Sequence, residues 1–309
     1  MKPLTYSQAL TGFFLTAQAR RLSPHTIADY THTLVKKFKP FLEKDYLVDQ
    51  ITAQHIEHFL AAQDQVSKKT VLNYHTGLSA FWTWAVKERI ASTHVVHEVQ
   101  SPKPEIPDII PYNQQEIKAM LSSLERSRPY QRRGKRLSDH GLQHIERNRA
   151  LILFLLDTGV RNDELCNIRI RDVDKRNQRV YIMGKGAKER HVPFGNRTHQ
   201  ALWRYLATRE NVKPEEPLFM LQTGKAFKRH RLLDLLQDIG TRAGVTDVTV
   251  HRFRHAFAIN YLRNGGDPYT LQKILGHSTL EMTKRYLAIA QTDVEQVHKR
   301  ASPVENWVL

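Results

Sequence analysis

The sequence predicts a mainly α-helical protein of two domains, with a small antiparallel β-sheet in the second domain, so that the fold class is α+β. Three observations support this prediction. The chain has 309 residues, which fits two domains of about 150 residues each. A proline-rich stretch divides it after residue 103. Apolar residues recur at helical spacing in nearly every long segment, and one alternating segment surrounds the glycines Gly184 and Gly186.

Residues 1–103 are predicted to form a helical bundle. Ser23 followed by Pro24 is typical of a helix start, with serine as the N-cap and proline at the first helical position. The segment SKKTVLNYHTGLSAFWTWAVKERI predicts a longer helix, and Lys68 and Lys69 lie at its start. Two interpretations of this bundle stay open: a solvated basic face, or a face that lies along a DNA backbone.

A linker is predicted between the two domains at residues 104–111. The segment QSPKPEIPDIIP has four prolines in twelve residues. Proline lacks a backbone donor and biases the residue before it towards extended structure, so this stretch cannot continue a helix.

The second domain is predicted to span residues 112–290. Asn113 and Glu116 have the spacing of a helix-capping box, and the apolar helix in NRALILFLLDTGV breaks at Gly159. The segment RVYIMGKGAKERHVPF alternates in polarity and carries two glycines at its middle, which is typical of a β-hairpin. A C-terminal helix and tail, 291–309, follow. Further helices are predicted at about 197–210, 228–243, 250–264, 268–276 and 279–290.

The composition predicts a soluble, cytoplasmic protein that binds nucleic acid. The formal net charge is +16 and the pI is about 9.9, which favours a polyanionic partner, either nucleic acid or an acidic membrane surface. No apolar run reaches the roughly 18 residues of a membrane-spanning helix, and the start of the chain lacks a secretory signal. Cys166 is the only cysteine, which excludes an internal disulfide and favours a reducing compartment.

The segment HRFRHAF gathers positive charge on one side of a predicted helix. His251, Arg254 and His255 share a face because positions three and four apart are neighbours on a helix. Two histidines at this spacing can bind zinc, but Arg252 follows the first of them and Arg254 adds a cation, so neither a metal nor another cofactor is expected. A buried histidine pair and a receptor for a phosphate oxyanion both fit the pattern.

Four motifs of the chain resemble those of the tyrosine recombinases, also called the phage integrase family. They are TGVRNDEL, GKGAKERHVP, HRFRHAFA and LGHSTLEMTKRYLA, and they occur in the family's order. The first hundred residues are similar to the family's helical, SAM-like core-binding domain, and the length resembles Xer-like members without an arm-binding domain. The resemblance implies a catalytic domain at 112–290 with Tyr286 as nucleophile and with Arg161, Lys185, His251, Arg254 and His277 as its catalytic partners.

The resemblance also implies a function. It is site-specific DNA recombination or integration through a 3′-phosphotyrosyl intermediate and a Holliday junction, without an energy cofactor. The partners would be double-stranded DNA with an inverted-repeat site and further copies of the chain, in a tetramer on two sites. The two domains would form a C-shaped clamp on DNA. Two alternatives stay open: a catalytically silent DNA-binding regulator of the same fold, and a DNA-relaxing or hairpin-forming enzyme.

The chemistry of strand exchange fits these residue types. A tyrosine with a pKa near ~10 is a weak nucleophile at neutral pH and needs a cationic pocket. Arg161 and Arg254 would stabilise charge on the phosphorus centre, His251 and His277 would donate hydrogen bonds or move protons, and Lys185 would protonate the leaving oxygen.

Each of these residues also has a structural alternative. Arg161 would pair with Glu164, and Lys185 would be an ordinary turn residue. His277 would cap a helix, and Tyr286 would be a core aromatic. The resemblance assigns His255 a supporting position.

Further cations are predicted to contact DNA. The segment RSRPYQRRGKR, residues 126–136, has six positive and no acidic residues, which fits either a solvated loop or a contact with the DNA backbone. The apolar tail is expected to dock onto a neighbouring protomer, with packing on its own domain as the alternative. The predicted DNA contacts are Lys68, Lys69, Arg132, Arg133, Lys135, Arg136, Lys188 and Arg190.

Overall fold

The computed structural model describes residues 3–104, 108–125, 144–184 and 189–290, together with His298, Ser302 and Val304. The chain forms two compact units, and the boundary between them falls between Asp108 and Ile109.

The first unit is entirely helical among its described segments. Ser23 accepts a hydrogen bond from the backbone N–H of Thr26 at 3.1 Å, and Pro24 occupies the first helical position, so the predicted helix start is confirmed. The helix that begins there continues as a π-helical stretch. The helices are α1 (Tyr6–Ala19), α2 (Pro24–Tyr30), the π-helix Thr31–Phe38, α3 (Lys39–Phe41), α4 (Ala53–Ala61) and α5 (Lys68–Lys87), with 3-10 turns at Val48–Gln50 and Val95–Glu98.

An aromatic cluster forms the core of the first unit. Tyr6, Phe38, Phe81 and Trp82 are each fully buried, and their rings meet mainly edge to face. Edge-to-face contact places the positive ring edge against the negative ring face and adds to the free energy of burial. The Tyr6 hydroxyl donates to the backbone oxygen of Leu34 at 3.3 Å, which satisfies the one polar atom of that ring.

The second unit is mainly helical and carries the sheet. The capping box of Asn113 and Glu116 is confirmed, since each side chain accepts from the other's backbone N–H at 2.8 Å. Its elements are α6 (Gln114–Ser122), α7 (Ile145–Thr158), α8 (Asn162–Asn167), a 3-10 turn Ile170–Asp172, β1 (Val173–Asp174), β2 (Arg179–Met183), β3 (Glu189–Pro193), α9 (Asn196–Ala207), α10 (Arg229–Ala243), α11 (Val250–Arg263), α12 (Pro268–Leu275) and α13 (Glu281–Ala290).

The predicted hairpin is present and belongs to a three-stranded antiparallel sheet in the order β1-β2-β3. Val180 on β2 pairs with Val192 on β3, so their side chains lie on the same face of the sheet. Both side chains are fully buried. The short strand β1 was not predicted, since two residues carry no alternation to detect. The fold class predicted from the sequence, mainly α with a small antiparallel sheet, is confirmed.

Gly159 determines how the chain leaves α7. Its φ of 58° lies in the left-handed region that favours glycine. A Cβ at this position would lie 2.6 Å from a ring carbon of Phe257 on α11, so α7 and α11 pack closely here. The break therefore puts Arg161, two residues later, at the N-cap of α8 and beside α11.

A small apolar cluster holds α11, α12 and α13 together. Ile259 and Leu262 on α11 pack with Leu271 and Leu275 on α12 and with Tyr286 on α13. Each of these five side chains is at most 5% exposed. The cluster thereby brings together the helices that carry the HRFRHAFA and LGHSTLEMTKRYLA motifs, and this packing positions the site.

Candidate active site

Five of the six predicted catalytic residues come together at one end of the α11–α12–α13 cluster. They derive from four separate segments of the chain, and each is positioned by the end of a helix or by a helix face. Lys185 lies outside the described residues. The five are Arg161 at the N-cap of α8, His251 and Arg254 on α11, His277 directly after α12, and Tyr286 on α13.

The C-terminus of α12 brings three arginines to this place. Its last carbonyl groups have no partner within the helix and carry the negative end of the helix dipole. Arg190 donates to the carbonyl of Ile274 at 2.8 Å, Arg254 to that of Leu275 at 2.8 Å, and Arg161 to that of Gly276 at 3.2 Å. These bonds offset the mutual repulsion of three cations.

Glu164 is the carboxylate within this group of cations. It accepts from the backbone N–H of Arg161 at 2.7 Å, from its Nη1 at 2.9 Å, and from both terminal nitrogens of Arg190 at 2.8 Å. Burial would raise the pKa of this carboxyl, but the hydrogen bonds from Arg190 and Arg161 outweigh burial and hold the pKa at about 2. Glu164 is therefore ionised at neutral pH and orients the arginines.

Arg190 makes contacts within the protein that the sequence did not predict. It was predicted to contact DNA, yet Nε donates to Ile274 and both terminal nitrogens donate to Glu164. Its side chain is only 12% exposed. Arg190 lies two residues before Val192 on β3, so both side chains point to the inner face of the sheet. Arg190 thereby ties β3 to α8 and α12, and a DNA contact of its side chain stays a prediction.

We expect Glu164→Gln to lower both stability and DNA cleavage. The change leaves the largely buried Arg190 and the part-exposed Arg161 without their anion, and breaking a buried pair such as Glu164–Arg190 costs roughly 3 kcal/mol or more. Because the folded-state pKa lies below the ordinary value, the carboxylate stabilises the wild type above about pH 4.5, and this contribution is lost as pH falls towards about 2. Thermal melting between pH 7 and pH 3 should show a smaller acid-induced loss for the variant.

Glu116→Gln is the matched control for this experiment. Glu116 also combines a capping-box contact with an ion pair, to Arg252 at 2.7 Å, but it lies on α6. The control is expected to lower the melting temperature while the folded protein keeps its cleavage rate. Equal cleavage by Glu164→Gln and the wild type would contradict an orienting role for Glu164.

Arg254 is the most buried of the predicted catalytic cations, at 4% exposure. Nη1 donates to the carbonyl of Gly159 and Nη2 to that of Leu275, each at 2.8 Å. Burial, with Arg161 nearby, lowers its pKa to about 10, so the guanidinium stays charged at neutral pH. A guanidinium has five N–H donors, and these two contacts use two of them. Arg254 therefore holds the ends of α7 and α12 and keeps donors for an oxyanion.

Arg161 both pairs with a carboxylate and keeps part of its guanidinium exposed. It does pair with Glu164, as that alternative stated, but its side chain remains 35% exposed. Glu164 and Gly276 take one donor from each of its terminal nitrogens. The remaining donors belong to a planar fork that suits two oxygens of a phosphate.

His277 is buried, at 7% exposure, and its ring lies against Tyr286. Nδ1 lies 3.1 Å from the hydroxyl oxygen of Thr283, which fixes the ring and leaves Nε2 for a ligand. Burial, followed by the charges of Arg254 and Arg161, lowers its pKa to about 4, so the ring is neutral at neutral pH. The cap of α12 is Gly276, in the left-handed region, rather than the His277 side chain.

Tyr286 has its ring beside His277 and its hydroxyl beside His255. The rings of Tyr286 and His277 are nearly parallel, at 15°, with centroids 6.0 Å apart. The hydroxyl oxygen lies 2.9 Å from Nδ1 of His255. Burial raises the pKa of Tyr286, and Arg254 and Arg285 act in the opposite direction. The ring packs in the apolar cluster, as the structural interpretation of Tyr286 expected. The hydroxyl faces Arg254.

His251 and His255 lie one helical turn apart on α11, with ring centroids 6.3 Å apart. Burial lowers the pKa of His251, with Arg254 and Arg161 adding to the effect. Burial also lowers the pKa of His255, to about 4, with His251 and Arg254 contributing. The family resemblance implied only a supporting position for His255, because no pattern along the chain shows which side chain of α13 it meets.

An open groove of about 1100 Å³ runs beside these residues. Arg161 and His277 line one part of it, and the strand β2 with Met183 and Gly184 lines another. The predicted hairpin tip with Lys185 and Lys188 continues from this strand and lies outside the described residues, as do the predicted DNA contacts Arg132, Arg133, Lys135 and Arg136. The two other predicted DNA contacts, Lys68 and Lys69, are exposed at the start of α5.

Neither a metal centre nor a membrane span is found in the described part of the chain. No group of three or more His, Cys, Asp or Glu side chains there is placed to hold a metal ion. No helix in the same residues combines the length and the apolar character that crossing a bilayer requires.

Comparison with known proteins gives consistent matches over most of the chain. A profile described as the phage integrase family matches residues 114–293, and one described as phage integrase, N-terminal SAM-like domain, matches residues 10–92. The tyrosine recombinase XerC of Staphylococcus carnosus is 31% identical over 295 residues, which cover 92% of this chain and 93% of that protein.

Two solved structures share the fold. The integrase of transposon Tn1549 in complex with a circular intermediate DNA has a TM-score of 0.73 and 18% identity, covering 95% of this chain and 99% of that chain. A lambda integrase tetramer bound to a Holliday junction has a TM-score of 0.73 and 15% identity, covering 92% of this chain and 78% of that chain.

The fold, the family profile and the curated relative define the class of this protein. The chain belongs to the phage integrase family, the tyrosine recombinases, as its four motifs predicted. It is a site-specific DNA recombinase. The alternative of a DNA-binding protein without catalysis is not favoured.

Proposed function

We propose that this recombinase cleaves and rejoins DNA strands through a 3′-phosphotyrosyl bond to Tyr286 and a Holliday junction, without an energy cofactor. The observation that supports the proposal is that Arg161 and Arg254 bind the C-terminus of α12 next to Tyr286, whose ring lies against His277 and whose hydroxyl interacts with Arg254. A tyrosine ester conserves the energy of the phosphodiester, so that a second strand can be joined without ATP.

The side chains divide the chemistry among them. Arg161 and Arg254 bind the two non-bridging oxygens and stabilise the charge that develops on them in the transition state. His277 donates a hydrogen bond from Nε2 to the same phosphate, and His251 donates another or moves a proton. Lys185 protonates the leaving 5′ oxygen from the hairpin tip, because an unprotonated alkoxide is a poor leaving group.

The DNA partner and the assembly follow from the relatives and from the charge. XerC is named a tyrosine recombinase, and the lambda integrase structure is a tetramer on a Holliday junction. We infer an inverted-repeat duplex site and a tetramer on two such sites, acting in the cytoplasm. Residues 1–103 would bind the core site, and 104–111 would link the two domains. Residues 112–290 would carry catalysis, and 291–309 would dock onto a neighbouring protomer.

A nicked duplex carrying the native site tests the proposal. Once the top strand is cut, the short fragment beyond the nick diffuses away and the covalent adduct accumulates. We expect an adduct through Tyr286 and, with two intact sites, recombinant products. An adduct without joined products would favour a relaxing or hairpin-forming enzyme, whereas a complete lack of adduct would favour a silent regulator.

The basic segment 126–136 is expected to strengthen binding without reading sequence. Replacing Arg132, Arg133, Lys135 and Arg136 by Gln should weaken binding to the specific site and to random DNA by similar factors, because backbone contacts position a protein and base contacts specify it. The log–log salt slope should fall by about 0.9 for each phosphate that is no longer neutralised. Gel-shift titrations at several salt concentrations measure both effects, and a weakening confined to the specific site would contradict the prediction.

A further inference from the structure

The hydroxyl of Tyr286 has a hydrogen-bond partner to which the proposed function assigns no role. Nδ1 of His255 lies 2.9 Å from the hydroxyl oxygen. The two residues sit on α11 and α13, which pack through the apolar cluster that contains Ile259 and Leu271. Tyr286 is 5% exposed, so water has little access to its hydroxyl. A proton that leaves this hydroxyl therefore needs a protein acceptor.

Arg254 and His277, which also contact Tyr286, are not placed to accept that proton. Arg254 interacts with the Tyr286 hydroxyl, but a charged guanidinium is a donor only. His277 stacks its ring on that of Tyr286, and its Nδ1 faces the hydroxyl of Thr283. The geometry leaves Nδ1 of His255 as the acceptor.

We propose that His255 is a catalytic residue of the recombination reaction, which accepts the proton of the Tyr286 hydroxyl as the tyrosine attacks the phosphate. The proposal rests on the proposed role of Tyr286 as nucleophile. His255 would then have a catalytic function at a position where the family resemblance implied only a supporting one.

Protons are conserved in both cleavage and rejoining. In cleavage, the bond from the Tyr286 oxygen to phosphorus forms, the bond from phosphorus to the 5′ oxygen breaks, the phenolic proton moves to His255, and Lys185 supplies a proton to the 5′ oxygen. In rejoining, a 5′-hydroxyl attacks the phosphotyrosine, its proton passes to Lys185, and His255 returns a proton to the departing tyrosinate. No oxidant, reductant or metal is required.

The charges around His255 couple this step to the presence of DNA. Without DNA, burial and then the charges of His251 and Arg254 on α11 and of Arg285 on α13 keep the imidazole neutral, so it retains a lone pair for the hydroxyl. A phosphodiester bound by Arg254 brings negative charge into the same pocket and favours the protonated imidazole. His255 is therefore a better base when the scissile phosphate is present.

His255→Asn separates proton transfer from positioning. The asparagine oxygen reaches the place of Nδ1 and accepts a hydrogen bond, but it does not take up a proton at neutral pH. We expect single-turnover cleavage of the nicked duplex to fall by about 10²-fold or more, as for the loss of a general base. His199→Asn on α9 is the matched control, and it should cleave like the wild type. Site affinity in gel shifts should be unchanged in both.

A more acidic nucleophile should rescue the His255→Asn variant. A ring-fluorinated tyrosine at position 286 ionises more readily, so it depends less on a base, and cleavage should recover by about tenfold or more. A protein whose cleavage is lost through misfolding has no reason to respond to fluorination. Wild-type cleavage by His255→Asn, or a lack of recovery on fluorination, would overturn the proposal. Adduct formation by Tyr286→Phe would instead overturn the proposed nucleophile.

The unsubstituted protein offers a second test that does not depend on the folding of a variant. The position of the ring proton is an assignment that ¹⁵N NMR of labelled histidine measures directly. We expect His255 to carry its proton on Nε2 and to have an unprotonated, hydrogen-bonded Nδ1 at neutral pH. A proton on Nδ1 would make the ring the donor to the Tyr286 oxygen and would overturn the proposal.

Discussion

Replacing Tyr286 with phenylalanine is expected to abolish the covalent protein–DNA adduct while site binding keeps its wild-type affinity. The substitution removes one oxygen and its hydrogen bond with Nδ1 of His255. The ring keeps its place against His277 and within the apolar cluster, so the cationic pocket keeps its shape. Denaturing gels of the nicked-duplex reaction measure the adduct, and gel shifts measure affinity.

Tyr261→Phe is the matched control for that experiment. Tyr261 is a partly buried tyrosine that packs against the same apolar cluster, but it lies on α11 beside Gly266 rather than at the site. It is expected to form the adduct at the wild-type rate. Adduct formation by Tyr286→Phe would mean that the nucleophile lies elsewhere in the chain.

Arg161→Ala and Arg254→Ala are expected to have the next largest effects on cleavage. Each removes a charged donor from the place where the non-bridging oxygens would carry the developing charge. Loss of a single oxyanion-type donor slows a reaction by about 10²–10³-fold, which is the least that we expect for either variant. Single-turnover cleavage at saturating protein measures this rate separately from DNA affinity.

The two arginines should differ in their effect on stability. Arg254 is buried, and its removal leaves the carbonyl groups of Gly159 and Leu275 without their donor, at a cost of about 1–3 kcal/mol for each buried group. Arg161 is 35% exposed, and the carbonyl of Gly276 lies in an exposed setting where water replaces it. The other partner of Arg161, Glu164, keeps both contacts with Arg190 when Arg161 is removed. Thermal melting should therefore show a much larger decrease for Arg254→Ala than for Arg161→Ala.

Arg209→Ala controls for the structural part of the Arg254 effect. Arg209 is also buried and donates to two backbone carbonyls, those of Pro217 and Leu218, but it follows α9. It is expected to lower the melting temperature without slowing cleavage by the folded protein. Wild-type cleavage rates for both site variants would contradict the proposed phosphate clamp.

Local patterns in the sequence predicted the elements of this fold with good accuracy. The N-cap Ser23, the capping box of Asn113 and Glu116, the break at Gly159 and the hairpin around the glycine pair are all formed as predicted. Each depends on residues within a few positions of one another, because caps, turns and strand alternation are short-range features. The family, and the motifs that carry its chemistry, were evident in the same way.

Partners that come from distant segments were not predictable in this way. Arg190 has the spacing and charge of a DNA contact, and only the packing of β3 against α8 and α12 turned its side chain towards Glu164 and Ile274. The two-residue strand β1 was missed because its pairing with β2, rather than its composition, defines it.

The sequence by itself therefore determined the fold class, the family and the set of polar residues available for catalysis. The tertiary structure decided which of these residues meet. The C-terminus of α12 draws Arg161, Arg190 and Arg254 together, because unpaired carbonyl groups accept from cations that would otherwise repel one another. The packing of α13 on α11 puts the Tyr286 hydroxyl on His255, a contact between residues 31 positions apart, which no short-range pattern encodes.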